Sequence, residues 1–93
     1  MSHYEDDVVL VSPVAATLLN DPTGTVRGKA ALRAYFKKGF AAYPNLKFEL
    51  QDVLWGLNSV VVYYVNHKGT RTGEFMEIGP SGKVSRVVAN YNG

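Results

Sequence analysis

Apolar positions change their spacing once along the chain, and the change divides it. From Lys29 to Tyr43 they follow a helical repeat: Leu32, Phe36, Phe40 and Tyr43 recur at i, i+4, i+8 and i+11, with Tyr35 alongside. Lys29, Arg33 and Lys37 fall on a different face of that helix. Gly28 precedes the pattern, and Tyr43-Pro44 ends it, because the residue before a proline is driven away from the α region. Gly39 inside a helix costs about 1 kcal/mol relative to alanine. Its expected benefit is close approach of the helix to a sheet.

Beyond Pro44 the spacing becomes two. Leu46, Phe48, Leu50 and Leu54 share one face of a strand, and Lys47, Glu49 and Gln51 the other, over Leu46 to Trp55. Gly56-Leu57-Asn58 turns into a strand from Ser59 to His67. Lys68-Gly69-Thr70 turns into Arg71 to Ile78, and Gly79-Pro80-Ser81-Gly82 into Lys83 to Tyr91. Connections this short predict an antiparallel four-strand meander. Val8 to Val11, before Pro13, reads as one more short strand, and Asn20 to Gly24 as a loop. The expected class is α+β: a curved meander packed on one main helix, with an extra short N-terminal strand.

Turn positions suggest a lattice in which like residues share a face, since a slip of one residue inverts every side chain. One face then carries the rows Leu54–Val60–Ile78–Val84, Asp52–Val62–Met76–Arg86, Leu50–Tyr64–Glu74–Val88 and Phe48–Asn66–Thr72–Asn90. The other carries Val53–Val61–Glu77–Ser85, Gln51–Tyr63–Phe75–Val87, Glu49–Val65–Gly73–Ala89 and Lys47–His67–Arg71–Tyr91.

Composition narrows the function more than it defines it. The 93 residues, 46% hydrophobic and 19% charged, describe one folded domain over residues 1–93, not a disordered chain. The longest apolar run, Val60 to Val65, is too short to span a membrane, and no secretory leader is visible. With 0 cysteines there are no disulfides, thiolate metal sites or thiol nucleophiles, and a cytoplasmic protein is expected. A net charge of +2 gives no argument for nucleic acid, and the basic helix face of Lys29, Arg33, Lys37 and Lys38 reads as solvated. His3 and His67 form no ligand cluster, so no metal or cofactor is expected. Ser12, Ser59, Ser81 and Ser85 lack a nucleophile-elbow setting.

The order of elements, with these residues, resembles the nuclear transport factor 2-like superfamily and its SnoaL-like branch. The resemblance runs from His3 to Tyr91. Tyr4-Glu5-Asp6-Asp7-Val8-Val9-Leu10 is similar to the family's acidic-to-apolar strand entry. Val26-Arg27-Gly28-Lys29 followed by Leu32, Tyr35 and Phe36 is similar to its glycine-started middle helix. Tyr43-Pro44-Asn45-Leu46-Lys47-Phe48 into Asp52-Val53-Leu54 resembles its helix-to-sheet transition, and Gly82-Lys83-Val84 with Arg86 its last hairpin. The resemblance implies a cone-like sheet around a cavity, association through the sheet, and, in relatives such as ketosteroid isomerase and limonene epoxide hydrolase, cofactor-free proton transfer by cavity carboxylates. No catalytic residue of those relatives maps onto a matching motif here. Family members usually carry helices ahead of the segment matching Tyr4, whereas Met1 stands almost directly before it.

On the lattice, Glu74 lies diagonal to Arg86 and across from Tyr64, with Asn66, Thr72 and Asn90 a row further on and Met76 a row nearer the apolar end. Tyr64, Asn66, Glu74, Met76, Arg86 and Asn90 are therefore the candidate ligand-binding residues, as a few polar groups converging in an apolar hollow. The same groups would also serve as a satisfied buried ion pair with its neighbours. Asp52 and Glu74 are the candidate catalytic carboxylates; Asp52 would be tuned by desolvation among leucines, or would reach water at a bulge. The opposite face offers Val53, Val61, Tyr63, Val65, Phe75, Val87 and Ala89, with Trp55 at its edge. One helix cannot cover both faces of a sheet, so a homodimer through this face is expected. Two functions stay open: a small cavity binding or transforming a hydrophobic ligand, and a non-catalytic association module.

Overall fold

The computed structural model describes residues 2–45 and 47–92. Strand β1 (Tyr4–Val11) leads into a short helix α1 (Pro13–Leu18), strand β2 (Thr25–Arg27) and the main helix α2 (Lys29–Ala42). Strands β3 (Phe48–Trp55), β4 (Ser59–Asn66), β5 (Arg71–Ile78) and β6 (Val84–Tyr91) follow. They form one six-stranded sheet in the order β2-β1-β6-β5-β4-β3, antiparallel except where β1 runs parallel to β6. The expected meander is therefore present, and the chain is α+β. The expected start of β3 at Leu46 lies outside the described residues. No helix among the described residues is long and apolar enough to cross a membrane.

The N-terminal strand is longer than its apolar core, and α1 and β2 were not expected. Both are too short to display a repeat. Local chemistry explains them instead. Ser12 caps α1 by accepting the Val14 N–H at 3.1 Å, and Pro13 occupies the first turn, where a missing N–H costs nothing. The loop then folds back so that Ser12 N–H donates to the Gly24 carbonyl at 2.9 Å. Gly24 has φ +59°, and a Cβ there would lie 2.4 Å from the Ser12 carbonyl oxygen, so only glycine fits. Gly39 does not have the role expected of it. A Cβ at that position would meet nothing within 4 Å, because the residue borders a cavity and no strand approaches it.

Helix α2 lies across β1 and β2, not across the meander. Val8, Leu10, Ala15, Val26, Leu32 and Val87 form the buried core, flanked by Tyr4, Tyr35, Phe36, Met76 and Val84. At the other end of the sheet β3 is exposed almost throughout, and Trp55 retains 79% of its surface.

The expected lattice survives only in part. Phe48, Glu49 and Leu50 face Asn66, Val65 and Tyr64 as expected, but a bulge at Gln51 then shifts β3 by one, pairing Asp52 with Tyr63 and Val53 with Val62. The β4–β5 hairpin is closed tighter than expected. Asn66 N–H donates to the Thr70 carbonyl, and its side-chain oxygen accepts from Lys68 and Thr70 N–H, each at 2.9 Å. Tyr64 therefore faces Thr72, and Glu74 faces Val62. A displacement of two keeps every side chain on its face. Between β5 and β6 the displacement is one. Ile78 pairs with Val84 as expected, but Ser85 is an extra residue, and beyond it Glu77 faces Arg86 and Glu74 faces Ala89. Most of β6 is thereby inverted: Val87, Ala89 and Tyr91 point to the helix side, and Arg86, Val88 and Asn90 to the other.

Four residues assigned to the outer apolar face or its edge are accordingly corrected: Ala89, buried on the inverted strand, and Trp55, which pairs with Val60 on the helix-side face, join Val87 and Val53. Val87 is 3% exposed in the core, on the inverted strand. Val53 shares the helix-side face with Val62, past the Gln51 bulge. Val61, Tyr63, Val65 and Phe75 remain on the outer face, where the bulge adds Leu54 and the inversion adds Val88.

Candidate functional site

Where the closed and open halves of the sheet meet, a cavity of about 690 Å³ opens between α2 and the strands. Helix α2 provides Tyr35, Phe36 and Phe40 from its apolar stripe, the same repeat that seats Leu32 in the core. The entry to α1 provides Ser12 and Pro13. Strands β3 and β4 provide Phe48 and Tyr64, whose rings meet edge to face with centroids 4.9 Å apart. Strand β5 adds Thr72 and Glu74, and β6 adds Ala89 and Tyr91. The wall is rich in aromatic rings, and its polar groups are mostly hydroxyls.

Among the described residues Glu74 is the only carboxylate in that wall. Half-buried, it accepts a hydrogen bond from the Tyr64 hydroxyl at 2.5 Å. It makes no ion pair among the described residues. Burial first, then the hydrogen bond to Glu74 and its charge, push the Tyr64 phenol far above its usual range; Thr72 offsets this in part. Tyr91 and Tyr35 are raised by burial, and hydrogen bonding to Ser12 offsets part of the rise in each. Glu74 adds to both, and to the burial-raised phenol of Tyr4. All four therefore hold their protons at ordinary pH. The cavity thus presents one carboxylate among hydroxyls and ring faces, with Lys68 and His67 in the lining at the β4–β5 hairpin.

The structure brings together only part of the candidate set. Tyr64, Asn66 and Glu74 line the cavity. The Asn66 oxygen, however, is committed to closing its own hairpin. Met76 packs half-buried against the core and does not reach the cavity. Arg86 and Asn90 lie on the far side of the sheet, because the Ser85 bulge inverts them. Arg86 pairs with Glu77 at 3.3 Å, with each side chain about half exposed, and makes no ion pair with Glu74. Asn90 is exposed and donates to the Gly73 and Val88 carbonyls. Asp52 is exposed beside the Gln51 bulge, where its oxygen accepts the Val53 N–H at 2.8 Å. It has no access to the cavity, so Glu74 is the carboxylate that does. Ser12, Tyr35, Thr72 and Tyr91 went unselected. The Ser12-Pro13 cap and the helical position of Tyr35 were visible signals, whereas Tyr91 required the bulge. Among the described residues no three His, Asp or Glu side chains gather as metal ligands.

Comparison with known proteins places this geometry. The SnoaL-like domain model matches residues 1–90. A SnoaL-like protein of unknown function from Burkholderia thailandensis is 34% identical, with a TM-score of 0.90 over 99% of this chain and 77% of that one. A putative isomerase of the SnoaL-like family from Agrobacterium tumefaciens is 13% identical, with a TM-score of 0.80 over 99% of this chain and 76% of that one. SalBIII, an epoxide hydrolase/cyclase-like enzyme of pyran ring formation in salinomycin, is 18% identical, with a TM-score of 0.69 over 98% and 74%. At those lower identities the likeness concerns the fold alone. No curated protein sequence matches significantly.

Proposed function

The chain belongs to the SnoaL-like domain family, and from that premise we propose that its cavity binds a compact, largely apolar ligand whose polar end meets Glu74 and Tyr64. The observation that carries this is the unpaired Glu74 carboxylate, hydrogen-bonded to Tyr64 at 2.5 Å in the wall of a cavity of about 690 Å³. A concave apolar site with a few convergent polar groups is the usual form of a small-molecule site. If the bound ligand is turned over, Glu74 is the cavity carboxylate able to take a proton from one ligand atom and to return the same proton to another, with the Tyr64 hydroxyl holding it in place. Such chemistry would be of isomerase, cyclase or hydrolase type and would use only these side chains. The names of the solved relatives, a putative isomerase and an epoxide hydrolase/cyclase-like enzyme, support that direction.

A probe of the right character is 2-naphthol, which is flat and apolar with one hydroxyl. Titrated in NMR, it is expected to move the ring signals of Tyr35, Tyr64 and Tyr91. Shifts confined to Trp55 and Leu57, on the exposed edge, would contradict the proposal.

The second part of the proposal concerns assembly. Leu54, Val61, Tyr63, Val65, Phe75 and Val88 lie on the face turned away from α2. We propose that this face pairs with a second copy of the chain, since monomers rarely leave so continuous an apolar patch in water. Tyr63→Glu is expected to convert a dimer into a less stable monomer, because folding and association are linked. Sedimentation of the unaltered protein as a 10.2 kDa species at micromolar concentration would contradict the dimer.

A further inference from the structure

The character of the cavity wall also bears on the charge of its ligand. Glu74 is half-buried and unpaired among the described residues, so its negative charge is solvated by the Tyr64 hydroxyl and whatever enters the cavity. Among the described residues Lys68 is the one permanent cation in the lining, exposed in the β4–β5 hairpin, and no ion pair joins it to Glu74. His67 beside it is exposed, and its Nδ1 accepts from the Lys47 N–H at 3.4 Å. The rings of Tyr35, Phe36, Phe48, Tyr64 and Tyr91 line the same cavity; Tyr64 touches the carboxylate, and its charge reaches Tyr35 and Tyr91. Aromatic faces carry negative quadrupole potential and attract weakly hydrated cations, and a partly desolvated carboxylate gains most from a partner that arrives already charged.

We infer that the cavity selects a compact organic ammonium, with the cationic nitrogen at Glu74 and its methyl or methylene groups against the aromatic wall. This rests on the reading of the cavity as a ligand site and deepens it. An anionic ligand is disfavoured by the same arrangement, because it would face Glu74 with no buried cation to offset it. A strongly hydrated ion such as sodium would forfeit its water for ring faces and one carboxylate, so an alkylated ammonium is the better match.

The experiment compares choline with its uncharged isostere, 3,3-dimethyl-1-butanol, in parallel NMR titrations of the wild-type protein, read at the Tyr35, Tyr64 and Tyr91 rings. Choline is expected to bind about tenfold more tightly or better. Glu74→Gln is expected to remove that gap, and Glu77→Gln, on the opposite face, to leave it intact. Equal or tighter binding of the butanol overturns the ammonium assignment while the cavity reading stands. The same holds if neither compound binds but 2-naphthol still moves the cavity rings. If 2-naphthol also leaves those rings unmoved, both readings fall. The wild-type pair decides the matter even if Glu74→Gln does not fold.

Discussion

The two ends of the sheet are built from the same alternating pattern and behave differently. At the β1–β2 end, Val8, Leu10 and Val26 are sealed beneath Leu32 of α2. At the β3 end, Leu50 and Trp55 on the same helix-side face are just as apolar, yet lie in solvent. The difference is a covering element: α2 crosses the first end and stops short of the second. Stability and recognition are thereby separated along one sheet. The closed end holds the fold together. The cavity sits at the boundary, where the helix has lifted away far enough to leave room, and its polar pair lies on β4 and β5, midway between the ends.

The largest effect that could break this comparison comes from paired truncations. Leu32→Ala removes a side chain that is 1% exposed and is expected to cost about 2–5 kcal/mol in urea or thermal unfolding. Trp55→Ala removes a larger side chain that is 79% exposed and is expected to change the stability of the monomer by less than about 0.5 kcal/mol. Similar losses for the two would mean that the β3 end is covered after all.

A smaller effect concerns the boundary and is read by pH. Tyr4, Tyr35, Tyr64 and Tyr91 have folded-state values raised mainly by burial. A phenol raised on folding contributes its stabilisation fully below its unfolded value, near pH 10, and loses it as pH climbs through that value towards the folded one. Unfolding in urea is therefore expected to become easier from about pH 10 upwards. Tyr64→Phe should flatten this alkaline loss while leaving the profile below pH 9 unchanged in shape. A profile equally steep in the variant would remove Tyr64 from the account.

The smallest effect lies on the far face. The Arg86–Glu77 pair, at 3.3 Å and about half exposed, is expected to contribute between zero and about 1 kcal/mol. Arg86→Ala should therefore leave both the melting temperature and 2-naphthol binding nearly unchanged. A loss of binding would return Arg86 to the site.

Much of the architecture was legible in the sequence, and the limits were local. The helical repeat from Leu32 to Tyr43 and the strands around Val60 to Val65 and Arg71 to Ile78 announced themselves by period, because each has one face turned to the core or the cavity. The register did not. Gln51 and Ser85 each add one residue to a strand, and neither is a glycine or proline that would mark a bulge. Every side chain beyond Ser85 was consequently assigned to the wrong face. This displaced Arg86 and Asn90 into the site and removed Tyr91 from it. The Tyr64–Glu74 contact was nevertheless found, because the β4–β5 error was a displacement of two and keeps faces. Thr72 stood one row from Glu74 in the expected lattice, but neither it nor Ser12 was selected, because short polar side chains carry no periodic signal.

The central claim is that Glu74 serves a ligand rather than the fold, and thermal melts of wild type and Glu74→Gln, each with and without saturating 2-naphthol, test it most directly. Glu74 leaves no cation uncompensated when its charge is removed, and glutamine keeps an acceptor for the Tyr64 hydroxyl. The cost should therefore stay near that of one hydrogen bond, about 1 kcal/mol. The ligand-free melting temperature is then expected to fall by less than about 10 °C, at roughly 4–8 °C per kcal/mol for a domain of this size. The rise produced by 2-naphthol should shrink markedly, since a ligand stabilises only the state it binds. A fall well beyond 10 °C, or a ligand-induced rise as large as in wild type, would contradict the account.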